Sequence, residues 1–157
     1  MMWRWLVFGR RITFTFAPVT NVMGVNSNLS GGDHILMWDF DETNLDNVVK
    51  SLHQVQFKYD LPNIYVLETK EGENFIAYCF KRVTLRTAVE IIASTRGIDW
   101  NFLKYGVYRG HFTLRVGEKC GRVPKFKAAV LSERPDEVSI RELKSWTQYE
   151  TLVDGVQ

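Results

Sequence analysis

The chain has 157 residues, 45% of them hydrophobic and 24% charged, the makeup of one soluble globular domain with a real core; it has no internal repeats and no low-complexity tracts. Its net charge is only +2, and Cys79 and Cys120 are its only cysteines, with no Cys-x-x-Cys or Cys/His spacing that would suggest zinc, so a reducing, intracellular, cytoplasmic setting is expected. The small net charge hides an asymmetry: residues 1–32 carry Arg4, Arg10 and Arg11 and no acid, residues 33–75 are strongly acidic, and residues 115–127 carry Arg115, Lys119, Arg122, Lys125 and Lys127 against Glu118 alone. An acidic centre flanked by basic segments suits a metal site beside a polyanion.

In chain order, residues 3–8 and 11–16 read as two strands of a hairpin around Gly9 and Arg10, the second showing the alternation Ile12, Phe14, Phe16 against Thr13 and Thr15. The apolar start is too short to span a membrane and lacks a cleavage site, so no membrane partner is expected. Residues 18–33, rich in Asn, Ser and Gly, read as a loop. A strand over 35–39 follows, and then a helix capped by Thr43, with Asp46 at the capping-box position and Leu45, Val48, Val49, Leu52 and Val55 on one face. After Leu61-Pro62-Asn63, strands over 64–69 and 74–80 flank the turn Lys70-Glu71-Gly72-Glu73. Thr84 opens a second helix that Gly97 stops. Residues 99–105 suggest a helical turn, 108–116 a strand, 128–131 a further strand, 132–140 a loop and 141–149 a short helix.

The most informative stretch is Trp38-Asp39-Phe40-Asp41. Side chains alternate along a strand, so Leu36, Trp38 and Phe40 share one face and Met37, Asp39 and Asp41 the other. Two neighbouring carboxylates repel each other, and a hard divalent cation, Mg²⁺ or Mn²⁺, relieves that repulsion. The simpler alternative is that the strand ends at Asp39 and Asp41 begins a helix cap.

From residue 35 to 116 the order β-α-β-β-α-β predicts an α+β, ferredoxin-like or RRM-like unit with sheet order 4-1-3-2 and both helices on one face. The Asp39 strand would be central, and Asp39 and Asp41 would stand on the open face beside His111, Thr113 and Arg115.

With that pattern the chain resembles the palm domain of the archaeo-eukaryotic primase superfamily, which includes phage and plasmid primase-polymerases. Trp38-Asp39-Phe40-Asp41 resembles the first acidic motif, residues 66–78 the hairpin, and Arg115-Val116-Gly117-Glu118-Lys119 the late basic segment near nucleotide phosphates. The resemblance covers residues 33–122, with 1–32 as an N-terminal hairpin and loop and 123–157 as a C-terminal extension of a single 1–157 domain. Two departures stand out. The hairpin His is missing, with Asn74 near its place, and only Asp99 is available as a third acid. The resemblance implies a replication-type protein, a nucleotidyltransferase, that binds nucleotides, single-stranded nucleic acid and Mg²⁺ or Mn²⁺, and that works with replication partner proteins.

On that reading Asp39 and Asp41 are metal ligands, with His111 completing the catalytic set. Arg115, Lys119, Arg122, Lys125 and Lys127 contact phosphates, and Asn74 and Tyr78 complete the nucleotide- and nucleic-acid-binding set. Glu68 is a further candidate carboxylate, and Phe75, Tyr78 and Phe80 resemble the aromatic strand on which an RRM stacks bases. Two rival readings remain. One is a non-catalytic RRM-like binding module that uses Tyr78 and Trp38. The other is a rolling-circle-initiator-like nuclease with Tyr108 or Tyr149 as nucleophile. Self-association through Trp3, Trp5 and Phe8 is also considered.

Overall fold

The computed structural model describes residues 2–7, 10–15 and 18–153. Strands β1 (Met2–Val7) and β2 (Arg10–Thr15) pair antiparallel with Trp5 opposite Ile12, within one residue of the predicted hairpin. The turn at Gly9, together with Phe8 and Phe16, lies outside the described residues, as do the side chains of Trp3 and Trp5.

The first half of the predicted loop over 18–33 is a strand, β3 (Val19–Asn26), because Val22 and Val25 have a core to enter. The loop contracts to the residues around Gly31 and Gly32, whose φ angles of +99° and +88° suit glycine alone. Strand β4 (His34–Phe40) leads into α1 (Leu45–Tyr59), capped by Asn44 and not Thr43; the Asn44 side chain accepts from the Asn47 amide at 3.0 Å. Strands β5 (Ile64–Lys70) and β6 (Asn74–Val83) form the expected hairpin, and Thr84 caps α2 (Leu85–Ala93). The predicted helical turn is a full helix, α3 (Trp100–Arg109), capped by Asp99 and ended by Gly110 at φ +77°. It takes up the first residues of the expected 108–116 strand, leaving β7 (Thr113–Arg115). Strand β8 (Lys125–Val130) follows. After a 3₁₀ turn at Ile140–Glu142 comes β9 (Trp146–Leu152), where a helix was expected.

The class is α+β, with two larger antiparallel sheets and three α-helices. One sheet runs β4-β6-β5-β8 and the other β7-β3-β9. The order β4-β6-β5 matches three strands of the ferredoxin-like expectation, but the fourth does not close the sheet. β7 pairs with β3, with Leu114 opposite Val25, and β4 is an edge strand, not a central one. The reason is visible on the outer side of β4. Ile35 N–H donates to the Ser27 carbonyl at 2.9 Å, and the Asp39 carbonyl accepts from Asp99 N–H at 2.8 Å, so that edge is already occupied. Segments outside 33–122 also build the second sheet, since β3 and β9 flank each other through seven paired positions from Val19 opposite Leu152 to Val25 opposite Trp146.

Leu36, Trp38 and Phe40 are fully buried; Trp38 Nε1 donates to Thr95 Oγ1 at 2.9 Å, just beyond α2, and Phe40 lines a cleft with Val48 and Ser51 of α1. The opposite face, expected to be open, is covered by the second sheet: Met37 and Tyr78, paired across β4 and β6, are buried there. Ser27 fastens the two sheets together. Its amide donates to the Phe112 carbonyl at 2.8 Å, its Oγ accepts from Phe112 N–H at 3.0 Å, and the same Oγ bonds His34 Nδ1 at 3.0 Å. Gly106 lets α3 approach Phe112, because a Cβ there would stand 2.2 Å from the Phe112 ring. Among the described residues no helix is long and apolar enough to cross a membrane.

Replacing Ser27 by Ala leaves a buried amide and a buried imidazole without their partner. The expected loss is about 1–3 kcal/mol of unfolding free energy, read from urea denaturation; an unchanged midpoint would show that the tie between the sheets carries no weight.

Candidate functional site

The end of β4 places Asp39 on the face turned toward the second sheet, opposite Ile76 of β6. The same alternation brings Asp41 to that side, level with Asn74 at the start of β6. The Asn74 Nδ2 donates to Asp41 Oδ1, so the residue standing in place of the expected hairpin His grips the second aspartate. Just beyond, Glu42 adopts φ +52°, a left-handed conformation that turns the chain sharply toward α1. Asp99 arrives from the other direction. Its amide binds the Asp39 carbonyl, and its carboxylate accepts from Asn101 N–H at 3.2 Å and Phe102 N–H at 2.8 Å, capping α3.

Three carboxylates therefore crowd one end of β4, and their electrostatics show it. Loss of water pushes the Asp39 carboxyl up to about 7, and the charges of Asp41 and Asp99 add to the rise; Arg115 and the Phe40 amide oppose it. Asp41 is also raised, first by desolvation and then by Asp99, while the Asn74 bond and Lys119 pull the other way. Tyr149 is raised chiefly by burial, with Arg115 opposing, and Tyr78 is raised by burial and by Asp39.

The basic side of the site is built by a tight turn. Lys119 and Arg122 exchange backbone hydrogen bonds at 2.9 and 3.0 Å, with Cys120 and Gly121 between them at φ +52° and +77°. The turn sets the Lys119 and Arg122 side chains next to each other. Arg115 braces it: Nη1 donates to the Arg122 carbonyl at 2.9 Å and Nη2 to the Thr69 carbonyl at 3.1 Å. A cavity of about 290 Å³ opens between the acids and this turn, walled by Asp39, Asp41, Asn74, Arg115, Lys119 and Arg122. A second hollow of about 430 Å³ lies on the other side of Asp39 and includes Asp99, Arg109, His111 and Tyr149. Asp39, Thr113 and Tyr149 border both.

The structure thus brings Asp39, Asp41, Asn74, Arg115, Lys119 and Arg122 together, with His111 on the far side of Asp39. It separates Lys125 and Lys127, which lie on β8 around another hollow that shares only Arg122 and Thr69 with the acid-lined cavity. Lys127 pairs there with Glu68 at 2.9 Å; Glu68 is held below its usual range first by the Gly72 amide and then by Lys127, so it is not the third acid of the site. That position belongs to Asp99. Tyr78 is 7% exposed and offers no face to a base, which corrects the stacking role expected of it; Trp38 and Phe75 are likewise buried. Thr69, Arg109, Thr147 and Thr151 were not anticipated. The period-two pattern Thr147, Tyr149, Thr151 was the available signal, concealed by reading residues 141–149 as a helix.

Comparison with known protein families, with curated proteins and with solved structures found no match. The chain is an α+β protein with an acidic cluster facing a basic turn across a cavity.

The raised Asp39 has a definite sign in stability. Between the unfolded value near 3.8 and the folded value near 7 the native state holds the extra proton, so stability falls as pH rises through that window and then levels. Asp39→Asn removes the charged form. It is expected to raise stability by about 1–3 kcal/mol at pH 8 and to change little at pH 4. Thermal melts at the two pH values test this, and equal effects at both would show that Asp39 is not shifted.

Proposed function

We propose that the cavity between the acid pair and the basic turn binds the phosphates of a nucleotide together with Mg²⁺ or Mn²⁺, and that the protein acts in nucleotidyl transfer in the manner of a primase-polymerase palm. The observation that carries this reading is the juxtaposition of Asp39 and Asp41 with Lys119 and Arg122 in one cavity of about 290 Å³. Asp39 is the more telling half of the pair. Its carboxylate sits in a site that penalises its charge, and a cation is the partner that would reverse the penalty.

The donor set fits a hard cation. Among the described residues no group of three or more His, Cys, Asp or Glu gathers into a metal cage. Asp39 and Asp41 would therefore be the protein ligands, and water and phosphate oxygens would complete the shell, as Mg²⁺ prefers. When bound, the ion supplies charge neutralisation and polarises the phosphoryl group. The chain's own residues do the rest. Asn74 fixes the orientation of Asp41. Lys119 and Arg122 would meet the phosphate oxygens, Lys119 as a point charge and Arg122 as a planar fork. Arg115 holds the turn that presents them. His111 lines the adjoining hollow with Asp39 and would act on the substrate from there. Single-stranded nucleic acid would be the polymer served, and replication proteins the natural partners of such an activity.

A second reading is favoured by one observation. Tyr149 borders both hollows beside Asp39, whereas Tyr108 is 88% exposed on α3 and borders neither. Tyr149 is thus the candidate nucleophile of a rolling-circle-type nuclease. A covalent protein–DNA adduct on a denaturing gel, lost in Tyr149→Phe, would replace the first reading with this one.

Calorimetric titration of Mn²⁺ with a nucleoside triphosphate tests the proposal. Wild type is expected to bind both, and the Asp39→Ala, Asp41→Ala double variant to lose at least about tenfold in affinity. Because Asp39 must ionise to ligate, Mn²⁺ affinity should also drop by about tenfold per pH unit below pH 7. Unaltered binding in the double variant sinks the reading.

A further inference from the structure

We propose that the exposed face of α3 is a binding platform for single-stranded nucleic acid that leads the strand to the acid pair. This rests on the phosphate-site reading and names the surface its polymer would use.

Residues four apart on a helix lie on the same side. On α3 they form two adjacent rows: Trp100, Lys104 and Tyr108 on the outside, and Asn101, Tyr105 and Arg109 next to them. The helix packs Phe102, Leu103 and Gly106 against the body of the protein, so Trp100, Tyr105 and Tyr108 are not there to build the core. Trp100 is 68% exposed and Tyr108 88%. The helix contains no acidic residue, while Lys104 and Arg109 lie over the Tyr105 ring at 6.0 and 5.6 Å from its centroid. Flat rings interleaved with cations are what an unpaired strand needs, since bases stack on the rings and phosphates meet the cations. In a duplex the base faces are already stacked, so Trp100 and Tyr108 would have nothing to hold. The absence of any acid on this helix favours a polyanion over a second copy of the chain, whose contact patches are depleted in lysine.

The inner row supplies the connection. Asn101, Tyr105 and Arg109 wall the hollow that also contains Asp39, Asp99, His111 and Tyr149. A strand stacked on Trp100 and Tyr108, about 12 Å apart along the helix axis, would lie along the rim of that hollow. From there its sugar-phosphate chain reaches Arg109 and then the carboxylates.

The test is fluorescence anisotropy of a labelled oligodeoxythymidine, and of a labelled hairpin duplex, against the full chain in EDTA over a range of salt. Wild type is expected to bind the single strand more tightly than the duplex. The Trp100→Ala, Tyr108→Ala double variant should lose at least about tenfold for the single strand only. Trp100→Phe keeps a ring and should keep binding. Phe57→Ala, which removes an equally exposed aromatic on α1, should change nothing. Lys104→Gln should reduce the salt slope by about 0.7. Failure of wild type to bind the single strand, or an undiminished affinity in the double variant, overturns the proposal. So does an equal loss for both nucleic acids. Sedimentation showing a dimer that the double variant dissociates, with oligonucleotide affinity intact, would assign the face to self-association instead. Mn²⁺ titration of the same variants should match wild type, so that a failure of the platform is separable from a failure of the acid pair.

Discussion

Ser27 is the point through which the arrangement of the whole site passes. It has no exposed surface, and it bonds Phe112 twice, Ile35 once and His34 once. Together the bonds join three segments: two tie the end of β3 to the approach to β7, and two tie it to the start of β4. That tie and the shared core of Val25, Met37 and Leu114 hold the second sheet over this face of β4. Asn26 extends it, donating to Ser145 Oγ at 3.0 Å and accepting from Thr113 Oγ1 at 2.7 Å, which brings in the approach to β9. Since Arg115, Tyr149 and Thr113 all ride on the second sheet, their relation to Asp39 follows from these few buried hydrogen bonds. Buried polar networks of this kind specify one geometry when every member is satisfied.

The site held in this way is electrostatically unfavourable in isolation. Burial and two neighbouring carboxylates oppose the charge of Asp39, and Arg115 only partly compensates. A sequence under selection for stability alone would place an apolar residue there, as it does at Met37 two positions earlier on the same face. A carboxylate raised by burial and by neighbouring acids in a cavity is a candidate functional position. The bracing of the basic turn points the same way. Arg115 uses two donors on main-chain carbonyls to hold a turn whose own residues, Cys120 and Gly121, both have positive φ. That turn is the ordinary close of an antiparallel pair, and Lys119 and Arg122 on either side of it line the cavity.

Much of the site was legible because it depends on period and spacing. Trp38-Asp39-Phe40-Asp41 announces its alternation, and the two helices after it follow from apolar periodicity and capping residues. The misread parts share a cause. Residues 19–26 and 146–152 are strands held by pairing with each other across a distance of the chain that local pattern does not show, so the Asn and Gly of the first looked like loop and the polar residues of the second like helix. Strand β7 was overextended because the alternation Tyr108, Gly110, Phe112, Leu114 has the period of a strand, whereas α3 continues through Arg109 and is ended by Gly110. From the missed strands β3 and β9, which pair with each other and take β7 into their own sheet, came the misplaced sheet order and the expectation of an open face where Tyr78 is in fact covered.

The role of α3 ties these strands of reasoning together. Its N-terminus carries the partial positive charge of unpaired amides, and Asp99 meets it with two hydrogen bonds. Of the three crowded carboxylates, Asp99 is therefore compensated by the helix it caps, whereas Asp39 and Asp41 look into the cavity with Asn74, Arg115 and Lys119 as their counterweights. The division is useful. On the proposed reading, Asp99 would add negative potential near the pair while its own oxygens stay on the helix amides, and a cation would be left to Asp39 and Asp41. The same helix turns its aromatic and basic rows outward. A single element thus sets the local field at one end and offers a surface along its length. Gly106 permits this by letting the helix approach Phe112 closely enough for both ends to be fixed.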